Sequence, residues 1–202
     1  MEERNTVSRP QQSRARKMVI ASMLGAISTV LMMLEFSVPV MPGFIKLDIS
    51  EFPALLASFA LGPAYGVAVC FIKNLIHLFV TTTVGVGELS NFLLGVAFVV
   101  PAGIAYNRSR TRKGALIGAV VGAVAMAVLS LPINLFITYP FFAQLFIPME
   151  TIIAMYTALL PSVNTLPMAL VIFNLPFTFV KGLINVLIVF LIYKRLSPIL
   201  HK

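Results

Sequence analysis

The chain alternates long apolar runs with short polar breaks, and the runs have the lengths of membrane crossings. Met18 to Val38 is apolar and stops at Pro39, with Pro42 and Gly43 close behind. Phe52 to Val80 is almost continuously apolar but is interrupted by Gly62-Pro63. Proline lacks an amide hydrogen and suits a first helical turn, so this pair predicts the end of a short second helix and the start of a third. Further runs cover about Leu89 to Tyr106, Ala115 to Ile137 and Leu166 to Tyr193, the last with a kink expected at Pro176. A crossing needs ~20 apolar residues for ~30 Å of hydrocarbon, so the pattern predicts an all-α membrane protein, a bundle of about six transmembrane helices. Glu150 to Leu160 sets Glu150, Thr151 and Thr157 among apolar residues and is expected as a short helix on the outer membrane surface.

Composition removes the soluble alternative. The 202 residues are 59% hydrophobic and 11% charged, with a mean hydropathy of +0.97, far from the balance of a soluble domain. The net charge of +8 is gathered in three blocks: Arg4 to Lys17, Arg108 to Lys113, and Lys194 to Lys202. That arrangement matches the positive-inside rule and not a nucleic-acid-binding stripe, so no nucleic-acid partner is expected. Placing all three blocks in the cytoplasm requires an even number of crossings. The expected organisation is a basic cytoplasmic tail over 1–17, a six-helix substrate-binding domain over 18–196 and a short cytoplasmic tail over 197–202. The outer side then collects Asp48, Glu51, Glu88 and Glu150.

Charges within hydrocarbon cost roughly 2.5–3.5 kcal/mol each on insertion scales, which makes Lys73 and Lys181 functional candidates. Lys73 has two readings, a structural pairing with a nearby acid or a ligand contact. Lys181 lies one turn after Thr178, so an ammonium and a hydroxyl share a face suited to a polar ligand. Asn134 adds an amide that donates and accepts. Glu88 and Asn91 stand where a loop enters the fourth helix, as ligand contacts or as a helix-start acid and cap. Phe44, Phe52, Tyr139, Phe141 and Phe142 are aromatic candidates for a planar ligand or for the interface belt. His77 is isolated along its helix and Cys70 is the lone cysteine, so no metal ligand set is expected. No nucleotide-binding or hydrolase motif occurs, so the chain is not expected to be an enzyme, and active transport requires an ATPase partner. On the first helix, Ala21 with Gly25 and Ser22 with Ala26 form small-xxx-small pairs that permit close helix approach, within the bundle or to a partner.

The run Lys46-Leu47-Asp48-Ile49-Ser50-Glu51-Phe52-Pro53-Ala54-Leu55-Leu56, followed by Phe59 to Pro63, Ile72-Lys73-Asn74-Leu75, Gly87 to Gly95, Asn134 and Pro176 to Gly182, resembles the riboflavin-specific substrate-binding subunits of energy-coupling-factor (ECF) transporters. The resemblance covers nearly the whole chain after residue 17. It implies a six-helix bundle that binds riboflavin from the outer side, beneath the loop after the first helix, with no cofactor of its own. It implies as partners a transmembrane coupling subunit (EcfT) and two cytoplasmic ATPases, and uptake by toppling in the bilayer. By position it assigns Phe44, Ile45, Lys46 and Leu47 to the covering loop, and Asn134 and Lys181 to the polar ligand contacts. Thr178 stands where the family's similar members carry asparagine. The pairs among Ala21, Ser22, Gly25 and Ala26 look like the family's contact with the coupling subunit. Two alternatives remain: the same architecture for another vitamin, or a secondary carrier driven by an ion gradient.

Overall fold

A computed structural model of the chain describes residues 13–200, with side chains described as far as residue 192. The expected tails therefore lie mostly outside the described residues. The first helix, α1 (Arg14–Met33), begins inside the basic tail because the Ser13 hydroxyl caps it, accepting from the Arg16 amide at 3.3 Å. It stops at Met33, short of the expected Val38, and a two-residue hairpin follows. In it, β1 (Phe36–Ser37) pairs antiparallel with β2 (Lys46–Leu47).

The Gly62-Pro63 break falls where the sequence places it. It separates α2 (Glu51–Leu61) from α3 (Pro63–His77), which runs on through a tight turn to Val80. Gly62 has φ +112°, a conformation that side chains with a Cβ rarely adopt. The remaining elements are α4 (Val86–Arg108), α5 (Arg112–Ile133), α6 (Tyr139–Leu145), α7 (Met149–Leu159), α8 (Leu166–Ala169) and α9 (Leu175–Leu200). Wider π-helical turns over Asn134–Thr138 and Leu170–Asn174 join α5 to α6 and α8 to α9. The irregularity expected at Pro176 therefore lies just upstream of it, and the matching one ahead of Pro140 has no counterpart in the sequence reading. A proline leaves a carbonyl one turn back without its amide donor, and a widened turn absorbs the defect.

Among the described residues, five helical stretches are long and apolar enough to cross a membrane: Arg14–Met33, Pro63–Val80, Val86–Arg108, Arg112–Leu145 and Leu166–Ile192. The expected six includes α2, whose 11 residues rise only ~16 Å, about half the hydrocarbon thickness. Its neighbours explain its shortness. Glu51 lies beside Gly95 midway along α4, the Ser58 hydroxyl donates to the Val99 carbonyl at 2.7 Å, and Pro63 packs on Gly103 near the basic end of α4. α2 thus fills one half of the bundle, and residues 34–50 descend into the other half as hairpin and loop. Such irregular backbone is tolerated at membrane depth only where protein encloses it or a cavity lies beside it. The inner core packs Ala54, Leu55, Ala57, Val69, Phe98, Ala102 and Ala123 without exposure. Gly118 and Gly122 bring α5 against the carbonyls of Ala102 and Phe98. A second core, around Tyr139, Phe142, Ile152, Tyr156, Val163 and Leu170, closes the opposite end. α7 is a helix, as expected, anchored to this core by Ile152 and Tyr156.

Candidate functional site

Between the hairpin, the start of α2 and the ends of α3, α4, α5 and α9 lies a recess of about 920 Å³ counted out to its mouth. Most of that space is the open mouth, and the part where the centre of a water-sized sphere fits is about 130 Å³. Its charges begin at residues 48–51, where the loop enters the bundle. Asp48 is 3% exposed and accepts from the Lys181 ammonium at 2.7 Å across 133 positions of sequence. Its other oxygen accepts from the Ser50 amide at 2.9 Å and from the Ser50 hydroxyl. Lys73, with no exposure, donates to Ser50 Oγ at 2.6 Å and to Glu51 Oε1 at 2.6 Å. Ser28 on α1 donates to the Ser50 carbonyl at 2.5 Å. One tetrapeptide, Asp48-Ile49-Ser50-Glu51, thereby ties α1, α3 and α9 to the start of α2. Two lysines meet two carboxylates, which removes the cost of unpaired intramembrane charge.

Of the residues expected at the site, Phe44, Ile45, Lys46, Glu88, Asn91, Asn134, Thr178 and Lys181 all line the recess. Leu47 does not. Successive strand residues point to opposite sides, so with Lys46 turned inward to Glu35 at 2.5 Å, Leu47 turns away. Among the aromatic candidates, Phe44, Tyr139 and Phe142 pack ring against ring on the recess, which Phe177 also lines. Phe52 packs instead on the inner core, and Phe141 is 44% exposed. Glu88 is the helix-start acid of α4 by position. It stands in the first turn of α4 and lines the recess, its carboxylate held by His77 Nδ1 at 2.8 Å, Thr81 at 2.9 Å and Thr83 at 3.2 Å. His77 is thus paired, not isolated.

The Asn134 side chain and the Thr178 hydroxyl line the recess and are buried, with no side-chain hydrogen bond to another described residue. The Asn91 carbonyl oxygen is likewise buried without a partner. Asn74 Oδ1 and Asn185 Oδ1 are also buried without a partner but do not line the recess, so what sets Asn91, Asn134 and Thr178 apart is that they line it with hydrogen-bonding capacity left over. The sequence reading passed over Asp48, Asn174 and Tyr156. Asn174 donates to the Tyr139 hydroxyl at 2.8 Å and accepts from the Tyr156 hydroxyl at 2.6 Å, and the two tyrosine hydroxyls also touch. This triangle fixes Tyr139 and Asn174, both on the recess, to α7 behind them. The signal for Asp48 was present, since two intramembrane lysines call for two carboxylates and Asp48 and Glu51 sit together. The triangle had no such signal, because π-turn geometry sets the direction of Asn174.

The small residues of α1 separate. Ala21 and Gly25 face inward, and a Cβ on Gly25 would lie 2.9 Å from Ile72 on α3. Ser22 and Ala26 are exposed. Adjacent helical positions differ by about 100°, so the two pairs do not serve one partner.

Comparison with known proteins decides the family. The model of the ECF transporter, substrate-specific component, matches residues 16–193. The chain belongs to this family. It is 29% identical over 187 residues to the riboflavin transporter RibU of Staphylococcus aureus (strain TCH60), covering 93% of each chain. It is 30% identical over 189 residues to the riboflavin transporter FmnP of Bacillus subtilis (strain 168), covering 92% of this chain and 94% of that one. A solved structure of the S component of a bacterial ECF transporter superposes with a TM-score of 0.74 at 27% identity, over 94% of this chain and 100% of that one. As an ECF substrate-specific component the chain is a multi-pass membrane transport subunit, and its recess is where such a subunit would hold its substrate.

Proposed function

We propose that this subunit captures riboflavin in the recess and delivers it into the cell together with an ECF coupling module, a transmembrane EcfT subunit and two cytoplasmic ATPases. The observation that carries the reading is the chemistry of the recess. The ring cluster of Phe44, Tyr139 and Phe142 shares the recess with Phe177, the Asn134 amide, the Thr178 hydroxyl and Lys181. Every carboxylate on the recess has a basic partner: Asp48 has Lys181, Glu35 has Lys46, Glu51 has Lys73 behind the lining, and Glu88 has the His77 ring. Apolar walls with fixed donors and acceptors suit a flat, neutral ring with a hydrogen-bonding edge and a polyhydroxy chain. The relatives named as riboflavin transporters support the same choice over another vitamin.

In this reading the chain crosses the cytoplasmic membrane six times with both termini inside. α2 and the descending loop together make the second crossing, which puts the Arg108 block and both chain ends on one side. The absorbance spectrum of the detergent-purified protein is the direct test. Flavin bands, with riboflavin identified by mass after denaturation, are the expected result. A colourless protein that also fails to bind added riboflavin would overturn the substrate. Riboflavin uptake by the purified chain alone in liposomes would sink the coupled mechanism.

Docking to the coupling module is assigned to the exposed Ser22 and Ala26 face of α1. Ser22→Leu with Ala26→Leu is expected to leave riboflavin binding unchanged and to cut uptake by the assembled transporter about ten-fold or more, since two bulky side chains block close helix approach. Full uptake by this variant would remove the face from the docking surface. Gly25→Leu is a poorer probe, because it collides with Ile72 inside the bundle.

A further inference from the structure

Three buried polar groups close on one another at the edge of the recess. Tyr156 on α7 donates its hydroxyl to Asn174 Oδ1 at 2.6 Å, Asn174 Nδ2 donates to the Tyr139 hydroxyl at 2.8 Å, and the two tyrosine hydroxyls touch. Asn174 and Tyr139 line the recess, while Tyr156 stands behind them without exposure. Replacing hydrogen-bonded partners together by apolar groups of the same shape can leave stability nearly unchanged, so packing alone does not call for this triangle. What a fully satisfied polar network adds to packing is a fixed direction for its members.

Direction matters at Asn174 because its amide is only half used. An asparagine amide has two N–H donors and an oxygen with two lone pairs, and the triangle takes one donor and one lone pair. One of each is left on a side chain that lines the recess and is 5% exposed. Asn174, Thr178 and Lys181 follow one another at spacings of four and three residues, so they share a helix face, and all three line the recess. The Tyr139 ring, whose hydroxyl Asn174 holds, packs against Phe44 and Phe142 at centroid distances of 6.2 and 6.3 Å. The amide therefore extends the polar face of Thr178 and Lys181 to the ring cluster.

We infer that Asn174 is a further ligand-binding residue, hydrogen-bonded to the polar edge of the flat ring, and that Tyr156 is the positioning residue that holds its amide. Tyr156 does not line the recess and acts only through Asn174. By this route α7 contributes to the site from behind its lining. The inference rests on the riboflavin reading of the recess.

Riboflavin titration of the detergent-purified full chain by flavin fluorescence, with a thermal melt of each protein, tests it. A wild-type protein that does not bind riboflavin sinks the substrate reading and this inference with it, whereas the variants test the inference alone. Asn174→Leu, which keeps the side-chain shape, should weaken binding about ten-fold, and Tyr156→Phe, which keeps the ring packed on Phe173 and Tyr139, about five-fold, the scale of one hydrogen bond. Tyr156→Phe added to Asn174→Leu should cost no further affinity, because its effect runs through the amide. Wild-type affinity in Asn174→Leu would remove Asn174 from the site, and wild-type affinity in Tyr156→Phe would leave Tyr156 a packing residue only. Losses that multiply in the double variant would refute action through Asn174. Should the melt show that Asn174→Leu is not folded, Asn174→Ser takes its place in the same cycle. The visible absorption band of the bound flavin supplies a readout that packing does not move, since hydrogen bonds to the ring tune its electronic states. At saturating riboflavin the band should shift in Tyr156→Phe, and an unmoved band would refute a contact to the ring edge.

Discussion

Lys181→Met is expected to weaken riboflavin binding by about 100-fold or more while the protein still inserts into the membrane. The ammonium lines the recess and holds Asp48 at 2.7 Å, and Asp48 is 3% exposed. Removing one partner of a buried pair leaves the other charge without compensation, at a cost of about 3–5 kcal/mol. Part of that cost falls on the descending loop, because Asp48 also organises Ser50. The double variant Lys181→Met with Asp48→Leu separates the two effects. It should recover thermal stability, since neither charge is then stranded, and should not recover affinity, since the donor to the ligand is still missing. Flavin fluorescence titration and a thermal melt measure the two quantities. Unchanged affinity in Lys181→Met would remove Lys181 from the site, and full recovery of affinity in the double variant would assign it a purely structural role.

The second large effect is expected at the neighbouring pair. Glu51→Gln keeps an amide oxygen that accepts from Lys73 but removes the charge that compensates this ammonium, which has no exposure. A loss of about 3–5 kcal/mol follows from breaking such a pair, a fall in Tm on the order of 10 °C for a chain of this size. Glu51→Leu combined with Lys73→Met should regain most of the loss, because an apolar pair of similar volume has no desolvation cost to offset. Lys73 does not line the recess but Glu51 does, so the melt, and not ligand affinity, is the readout of this double variant. An unaltered melt for Glu51→Gln would show that the pair does not hold α2 to α3.

The family comparison establishes what kind of subunit this is, and the recess explains how one chain of that kind can hold a planar polar ligand in hydrocarbon. Asp48, Ser50, Glu51, Lys73 and Lys181 form a charge-balanced chain of contacts on and behind the recess lining. The same contacts that position Lys181 also anchor the loop over the recess. Ligand affinity and loop order are therefore expected to change together in variants of Asp48.

The sequence by itself determined where the helices are, because hydrocarbon demands long apolar runs and tolerates breaks only at residues such as Gly62-Pro63. It determined the location of the basic ends, and it singled out Lys181, Asn134 and Thr178, because polar groups at membrane depth are rare enough to stand out. Tertiary structure decided which of them meet. Asp48 reaches Lys181 across 133 residues, and no local period encodes that contact. Leu47 leaves the site and Lys46 enters it because a two-residue strand alternates sides. Ala21 and Gly25 are consumed by α3 while Ser22 and Ala26 stay free, a choice made by the rotation of α1 against its neighbours. Asn174 enters the site through a π turn that shifts the helical phase. Composition and periodicity act along the chain and are read there. Pairing and facing depend on how helices rotate and pack against one another, which only the assembled bundle fixes.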